Sequence, residues 1–309
     1  GAGIGVGILG SSGPWVKELL NAMGYPKVKG VARVIGSDAL LSSSAAALCN
    51  AYQMHNSEFD CFHESAVVHP VTCVLSASLA EIDRLFCEQD TIVTGKDLIK
   101  AVVLGVDIAC NLGVASKKGL RFFRPGTCGA FGATAAVGSL RSFNQVKLNN
   151  AFSIVFSQLC GTMQAHSEGS PLLGMQMGFN ARNAITACDL ASQGIQGPQN
   201  ILEGPFGYFP IYEGDLNIEV FKNMISELCD NRTIPNVQFF INYRDAPILK
   251  KNLTEPYHHL FDSKDISIEK EYQFKKMCPI FSQSITDEYA DILMPSNDDW
   301  LMSSSKIFT

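Results

Sequence analysis

Apolar side chains recur at helical spacing along the chain up to about residue 231. In residues 71–87 the large apolar side chains return every three or four positions, which places them on one face of a helix. These side chains are Val74, Leu75, Leu79, Ile82, Leu85 and Phe86. Strand patterns are few in this region, so the periodicity predicts a mainly α fold.

Local signals mark further helices in the same region. Thr94 and Asp97 have the spacing of a capping box and predict a helix that continues through Cys110. Residues 127–142 are rich in Ala and Gly, so a helix there would let its neighbours approach very closely. Other predicted helices cover residues 15–23, 45–54, 144–165, 177–193 and 215–228.

The composition changes after Cys229. Residues 230–235 have the character of a linker, and residues 237–241 form a β-rich run. We therefore predict two units, a helical domain over residues 1–231 and a small α/β appendage over residues 232–309. The appendage is too short and too polar for a large core of its own.

The first residues contain a GxGxxG pattern at Gly5, Gly7 and Gly10. A dinucleotide-binding turn requires an acidic residue about 20 positions further on, for the ribose hydroxyls. Residues 24–37 contain no Asp or Glu. The pattern instead predicts a helix of small residues that packs closely against its neighbours.

Charge and cysteine content narrow the classes of partner. The 309 residues carry a formal net charge of −6 without a run of Lys or Arg, which argues against nucleic acid or an anionic membrane as main partners. No uninterrupted apolar run reaches the length of a membrane span, and no secretory signal is visible. None of the ten cysteines forms a CxxC pair. We expect free thiols in an intracellular compartment, either cytoplasmic or mitochondrial.

The densest polar segment is HNSEFDCFHESAVVHP, residues 55–70. It contains His55, Glu58, Asp60, His63, Glu64 and His69. A carboxylate beside an imidazole can abstract a proton and stabilise the charge that develops, so the segment is a candidate acid/base site. A solvated loop between helices is the alternative. The His spacings match no known ligand pattern, so we expect no metal.

Two further segments carry candidate binding residues. Arg124 precedes Pro125 and Thr127 at the predicted start of a helix, where an arginine and free backbone N–H groups could hold a carboxylate. A surface turn with a solvated arginine is the alternative. Gln176 and Asn180 lie one helical turn apart in HSEGSPLLGMQMGFNAR, where packing residues are the alternative.

Several segments resemble the MmgE/PrpD family of lyases in sequence and in order. They include GVGILGSSGPW, AAALCNAYQMHNSEFD, VVHPVTCVLSASLAE, FRPGTCGAFGATAAVG and GPQNILEGPFGYF. The resemblance covers about residues 1–215. It implies a helical domain and lyase chemistry at a carbon next to a carboxylate of a small di- or tricarboxylate, with no obligatory metal or organic cofactor.

The resemblance also implies roles for individual residues. His69 matches the His of an H-P pair and corresponds to the catalytic imidazole, while Glu58 and Asp60 match the two acids of H-x-x-[DE]-[FY]-D. Arg124 stands where the family has His in F-H-P-x-G-T. The segment LGMQ at 173–176 stands where the better-known members of the family have K-x-L-H. We therefore expect a substrate other than methylcitrate or cis-aconitate. Arg124, Thr127, His63 and Gln176 are the candidate substrate-binding residues.

The resemblance begins inside the family pattern and stops before the family's lid domain. We therefore expect a truncated domain whose uncovered surface is closed by a second copy of the chain or by a partner protein. A catalytically inactive structural or interaction protein on a truncated lyase scaffold is the alternative to an active lyase.

The tail over about residues 234–300 resembles part of the Rumi-like protein O-glucosyltransferases. The segment INYRDAPILKKN carries their R-D-x-P pattern, which makes Asp245 a candidate catalytic base. The nucleotide-sugar half of that family has no counterpart here. An O-glycosyltransferase fragment fused near residue 230 is thus a third function hypothesis.

Overall fold

The computed structural model describes residues 1–116 and 119–213, and within them the protein is mostly helical. The helices are α1 (Ala2–Gly10), α2 (Val16–Ala22), α3 (Ser43–His55), α4 (Pro70–Gln89), α5 (Gly95–Ala115), α6 (Arg124–Leu140), α7 (Gln145–Phe156), α8 (Gln164–Ser167) and α9 (Leu172–Ser192). A single π-helical turn follows at Phe209–Glu213. The predicted mainly α fold is confirmed. The predicted helix at 215–228, the appendage and Asp245 lie outside the described residues.

A two-stranded antiparallel sheet, which the sequence did not predict, lies between α2 and α3. Strand β1 (Ala32–Arg33) pairs with β2 (Leu40–Leu41). Arg33 fixes the sheet to α4, because its backbone N–H donates to Asp83 at 2.8 Å and its guanidinium Nη2 lies 2.6 Å from the same carboxylate.

The opening helix packs as its small residues predict. Gly7 and Gly10 of α1 are buried, and a Cβ placed on Gly10 would lie only 1.9 Å from the carbonyl oxygen of Gln53 in α3. Any other residue at this position would push the two helices apart. Gly7 and Gly10 of GxGxxG therefore serve helix packing.

One predicted helix ends early. The sequence predicts a helix over residues 144–165, but α7 ends at Phe156. Gly161 takes a φ of +109°, which glycine adopts readily, and Thr162 pairs with Phe122 in an isolated β-bridge. The side-chain oxygen of Gln176 accepts the Thr162 N–H at 2.7 Å. This prediction was wrong because long-range partners bind the backbone of 161–162.

Helix α5 meets the length and composition of a membrane span. It is the one helix among residues 1–116 and 119–213 that does, and 61% of its most apolar window is buried inside the protein. A core helix has the same length and composition, so the finding is weak support for a span. The absence of a membrane span stays a prediction.

Helices α4, α6 and α9 run in the same direction through the core. Near their C-terminal ends Arg84 of α4 and Arg141, directly after α6, both contact Asp189 of α9, at 2.7 and 2.8 Å. Glu81 of α4 joins the same cluster. Because Arg84 lies 14 residues after the start of α4 and a helix rises 1.5 Å per residue, this charged cluster lies about 20 Å from the start of α4. The candidate site lies at that opposite end.

The contact between α5 and α6 depends on Gly132. A Cβ on Gly132 would lie 2.3 Å from the carbonyl oxygen of Gly105, a backbone atom that cannot move without moving α5. We expect Gly132→Ala to lower the free energy of unfolding by about 1–3 kcal/mol, as overpacking of a core does. Urea denaturation measures this loss.

The matched control for this substitution is Gly5→Ala. Gly5 lies within α1, and a Cβ there would meet no atom within 4 Å. Because alanine is the better helix former, this variant should gain up to about 1 kcal/mol. Equal effects of the two substitutions would contradict the role of close approach between α5 and α6.

Candidate active site

The segment between α3 and α4 forms a tight loop over residues 56–69. The His63 N–H donates to the Val68 carbonyl at 2.9 Å, and the Ala66 N–H donates to His63 Nδ1 at 3.1 Å. Glu58 and Val67 both have a φ of +53°, which is costly for residues other than glycine and most costly for a β-branched one. Such conformations cluster at functional sites. The loop is therefore held in a specific, strained shape.

This loop places Asp60 between two imidazoles. Nδ1 of His55, the last residue of α3, lies 3.0 Å from both carboxylate oxygens of Asp60. Nδ1 of His69, the residue before α4, lies 3.2 Å from Oδ1 of the same carboxylate. The hydroxyl of Thr72 donates to Oδ2. Three side chains thus converge on one carboxylate.

The cluster is almost closed to solvent. The exposed fractions of the His55, Asp60 and His69 side chains are 1%, 3% and 16%. The His55 ring lies edge-on to the His69 ring at 4.7 Å between centroids and 5.8 Å from the ring of Phe123, the residue before α6. His69 is the member of the cluster that a small molecule could reach.

Asp60 and His69 form a buried ion pair. Burial favours neutral Asp60, but the charges and contacts of His55 and His69 outweigh burial and hold the pKa of Asp60 well below its usual range. Burial likewise acts to lower the pKa of His69, but Asp60, with a smaller contribution from Glu58, raises that pKa above its usual value. The pair therefore favours a carboxylate and an imidazolium.

The pH dependence of stability follows from these two shifts. A raised His69 pKa stabilises the fold below about pH 6.5, the unfolded value, and this contribution is lost as the pH rises through the folded value. A lowered Asp60 pKa stabilises the fold above about pH 3.9 and is lost as the pH falls through the folded value. The pair should therefore contribute most between about pH 4 and 6.5.

We expect the difference in unfolding free energy between the unmodified protein and His69→Gln to be largest near pH 6 and to shrink toward pH 9. Urea denaturation across that range measures it. His166→Gln, at an exposed histidine, is the control and should give a small difference at every pH. A difference that grows with rising pH would contradict the ion pair.

Glu58 and His63 occupy the same loop with different surroundings. Glu58 is exposed, and its negative charge contributes to raising the pKa of His69. His63 holds the turn through its contact with Ala66, and burial lowers its pKa. The assignment of Glu58 to catalysis and of His63 to substrate binding stays a prediction.

Arg124 is buried at the start of α6 rather than solvated, so the alternative of a surface turn is wrong. Its guanidinium Nη2 lies 2.8 Å from Oε2 of Glu213 in the π-helical turn, and Nη1 lies 3.5 Å from the carbonyl oxygen of Ala66 in the loop. The hydroxyl of Tyr208 donates to Glu213 at 3.2 Å. Arg124 thus holds a carboxylate, as its position predicts, but one from this chain.

Thr127 and Gln176 lie in the same part of the core. The Thr127 hydroxyl is 3.2 Å from the Tyr208 hydroxyl. Gln176 uses its side-chain oxygen for the Thr162 N–H, while its Nε2 is buried without a hydrogen-bond partner. Asn180 donates to the Cys160 carbonyl at 2.8 Å. The role of Thr127 and Gln176 in substrate binding stays a prediction.

Sequence reasoning assigned no individual role to two residues of this region. His55 is the first letter of the H-x-x-[DE]-[FY]-D segment, so that motif is the signal that could have identified it. Glu213 had no comparable signal, because its partner Arg124 lies 89 positions earlier in the chain.

The family assignment follows from a sequence comparison. The sequence model of the MmgE/PrpD N-terminal domain matches residues 3–220. The chain belongs to the MmgE/PrpD family. This confirms the resemblance over the helical domain, while the resemblance of residues 234–300 to O-glucosyltransferases stays a prediction.

Two proteins with sequences similar to this chain are decarboxylases. Cis-aconitate decarboxylase of Aspergillus terreus is 31% identical over 211 residues, which are 67% of this chain and 43% of the fungal protein. Cis-aconitate decarboxylase of Homo sapiens is 26% identical over 185 residues, 57% of this chain and 36% of the human protein. The chain spans less than half the length of these two relatives.

A viral protein is also similar to part of the chain. Uncharacterized protein 179R of Invertebrate iridescent virus 6 is 42% identical over 102 residues, which are 31% of this chain and 8% of the viral protein. The likeness covers too little of the viral protein to indicate a function.

Helix orientation adds an electrostatic contribution at the site. His69 precedes α4 and Phe123 precedes α6, so the N-terminal ends of both helices face the region around the His55–Asp60–His69 cluster. The partial positive charge of a helix N-terminus favours anions. Both helix ends therefore favour negative charge at the cluster.

Proposed function

We propose that this domain performs lyase chemistry on a small carboxylate, with His69 as the group that moves the proton. The main observation behind this proposal is the buried carboxylate of Asp60 between the imidazoles of His55 and His69. This carboxylate orients the His69 ring and stabilises its charged form. Family membership and the cis-aconitate decarboxylase relatives support the same reaction class.

The ring geometry of His69 assigns the two nitrogens different tasks. Nδ1 is turned toward Asp60, which leaves Nε2 for the substrate. In the proposed reaction Nε2 of the His69 imidazolium gives its proton to the carbon next to a substrate carboxylate, the neutral ring takes a proton from that carbon in the reverse step, and Asp60 remains ionised throughout. Glu58, exposed at the same loop, adds negative charge that favours the imidazolium.

The test follows both turnover and proton exchange. The purified chain is incubated in D2O with a panel of di- and tricarboxylates, including cis-aconitate, and NMR detects product and deuterium at the carbon next to a carboxylate. We expect turnover or exchange with at least one compound, reduced by about 100-fold or more in His69→Gln. His166→Gln is the control. Neither reaction with any compound, or one that His69→Gln leaves unchanged, would sink the proposal.

A non-catalytic scaffold is the second candidate, and the Arg124–Glu213 ion pair favours it. Both side chains are buried, with exposed fractions of 5% and 6%, so an internal carboxylate takes the guanidinium that a substrate would need. Calorimetry with the same carboxylates distinguishes the candidates. A scaffold should bind none of them, and a lyase should bind its substrate before turnover.

We further propose that the domain associates with a second copy or a partner protein and that it is located inside the cell. A second copy or a partner protein is supported by exposed apolar side chains of the first residues, among them Ile8 at 54%, Leu9 at 67% and Trp15 at 43% exposure. An intracellular location is supported by the cysteines, because all eight within the described part of the chain are free thiols.

A further inference from the structure

His55, Asp60 and His69 direct three donor atoms at one small volume. Their possible ligand atoms all lie within 4.8 Å of one another. We propose that this cluster is a binding site for a divalent transition-metal ion and that Zn²⁺ fits it best. The proposal concerns occupancy of the cluster by an ion and does not depend on lyase activity.

The two nitrogen-to-oxygen spacings of the cluster are close to those of a zinc site. Bonds of about 2.0–2.1 Å in a tetrahedron put neighbouring ligand atoms about 3.3–3.4 Å apart. The nitrogen-to-oxygen distances in the cluster are 3.0 Å from His55 and 3.2 Å from His69. The three donor atoms span up to 4.8 Å, so the two imidazoles would have to approach each other by about 1.4 Å to hold the ion.

The donor types select among metals. Two imidazole nitrogens and one carboxylate oxygen suit Zn²⁺ and its neighbours in the transition series, whereas Ca²⁺ and Mg²⁺ require oxygen ligands. The Thr72 hydroxyl donates to Asp60 and would orient this carboxylate without binding the metal itself. His69 is the most exposed of the three ligands, with 16% of its side chain accessible.

A buried nitrogen supplies a separate reason to expect an ion. His69 Nδ1 is buried and makes no hydrogen bond, although it lies 3.2 Å from Oδ1 of Asp60. Buried polar atoms usually have a partner. A metal ion bound by both donors would give this nitrogen a partner.

The proposed ion would act on the proton transfer. It would take Nδ1 of His69 and the Asp60 carboxylate, the two groups that together favour the imidazolium. Zn²⁺ should therefore inhibit any proton transfer that uses His69, and a chelator should reverse the inhibition. Binding itself is measured without turnover, so failure of the metal site and failure of the lyase proposal are separate results.

Binding is tested with the tag-free chain after treatment with a chelator. Calorimetry with ZnCl₂ near neutral pH should give one site per chain. Co²⁺ in place of Zn²⁺ should give the intense visible absorption of a tetrahedral ion. His55→Gln, Asp60→Asn and His69→Gln should each weaken binding by more than about 10-fold, since removal of a ligand costs more than removal of its outer partner.

The controls separate this site from other ligands in the chain. His166→Gln changes an exposed histidine outside the cluster and should leave binding unchanged. The cobalt spectrum of the unmodified chain reports coordination even if a variant fails to fold. Absence of binding, binding indifferent to all three cluster variants, or thiolate-to-cobalt absorption that assigns the ion to cysteines would each overturn the proposal.

Discussion

Asp60→Asn is expected to lower the rate of the proposed lyase reaction by about 100- to 10,000-fold, the range typical of positioned acid/base groups. The substitution keeps the size of the side chain but removes its charge. The carboxylate accepts hydrogen bonds from Thr72 and His55 and attracts His69. An amide offers one accepting oxygen and an NH₂ group that cannot accept.

The loss should be visible in the pH profile as well as in the rate. Asp60 raises the pKa of His69, so the variant should move the profile of kcat/KM toward lower pH by releasing that imidazole. Steady-state kinetics from about pH 5 to 9 measure both effects. Glu64→Gln, at an exposed acid of the same loop, is the control. A rate and a profile equal to those of the control would contradict the role of Asp60.

Much of the helical core could be predicted because its signals are local. The capping box of Thr94 and Asp97 forms as its spacing predicts: the Asp97 N–H donates to the Thr94 hydroxyl and the Thr94 N–H donates to Asp97. The apolar stripe of residues 71–87 falls within α4. Small residues identified the close packing of α1 and of α6.

The end of α7 could not be read from periodicity. Residues 157–163 keep apolar side chains at helical spacing, but Gln176 and Phe122 take the backbone groups of Thr162 and its neighbours. Tertiary contacts of this kind override local propensity. The error therefore lies where a partner distant in sequence decides the conformation.

In the candidate site, too, contacts between residues close in sequence could be predicted and contacts between distant residues could not. His69 and Asp60 lie nine residues apart, and one loop brings them together, so a dense polar segment was a sufficient signal. The pairing of Arg124 with Glu213 spans 89 positions and depends on the path of the intervening helices. Charge and motif indicated that Arg124 binds a carboxylate but could not indicate which one.

Arg141→Met is expected to lower the free energy of unfolding by about 3–5 kcal/mol, because it breaks a buried ion pair from one side. Glu81 has a fully buried side chain, and Arg141 donates to it from Nε at 2.8 Å and from Nη2 at 3.0 Å. Arg84 contacts the same carboxylate at 2.8 Å. Without Arg141, the carboxylates of Glu81 and Asp189 share the guanidinium of Arg84.

A double substitution tests this explanation more sharply than the single one. Glu81→Met combined with Arg141→Met removes one charge of each sign and leaves Arg84 paired with Asp189. Since apolar residues often replace a buried ion pair without loss, the double variant should recover most of the stability. Lys17→Met, at an exposed lysine of α2, is the control and should stay within about 0.5 kcal/mol.

Urea denaturation of the four proteins distinguishes charge from packing. If the stem of Arg141 matters more than its charge, the single and double variants should be equally unstable. If the loss of one of the two guanidinium partners of Glu81 matters, only the single variant should lose stability. The second outcome is expected because the Glu81 side chain is fully buried, so water cannot replace the lost donors.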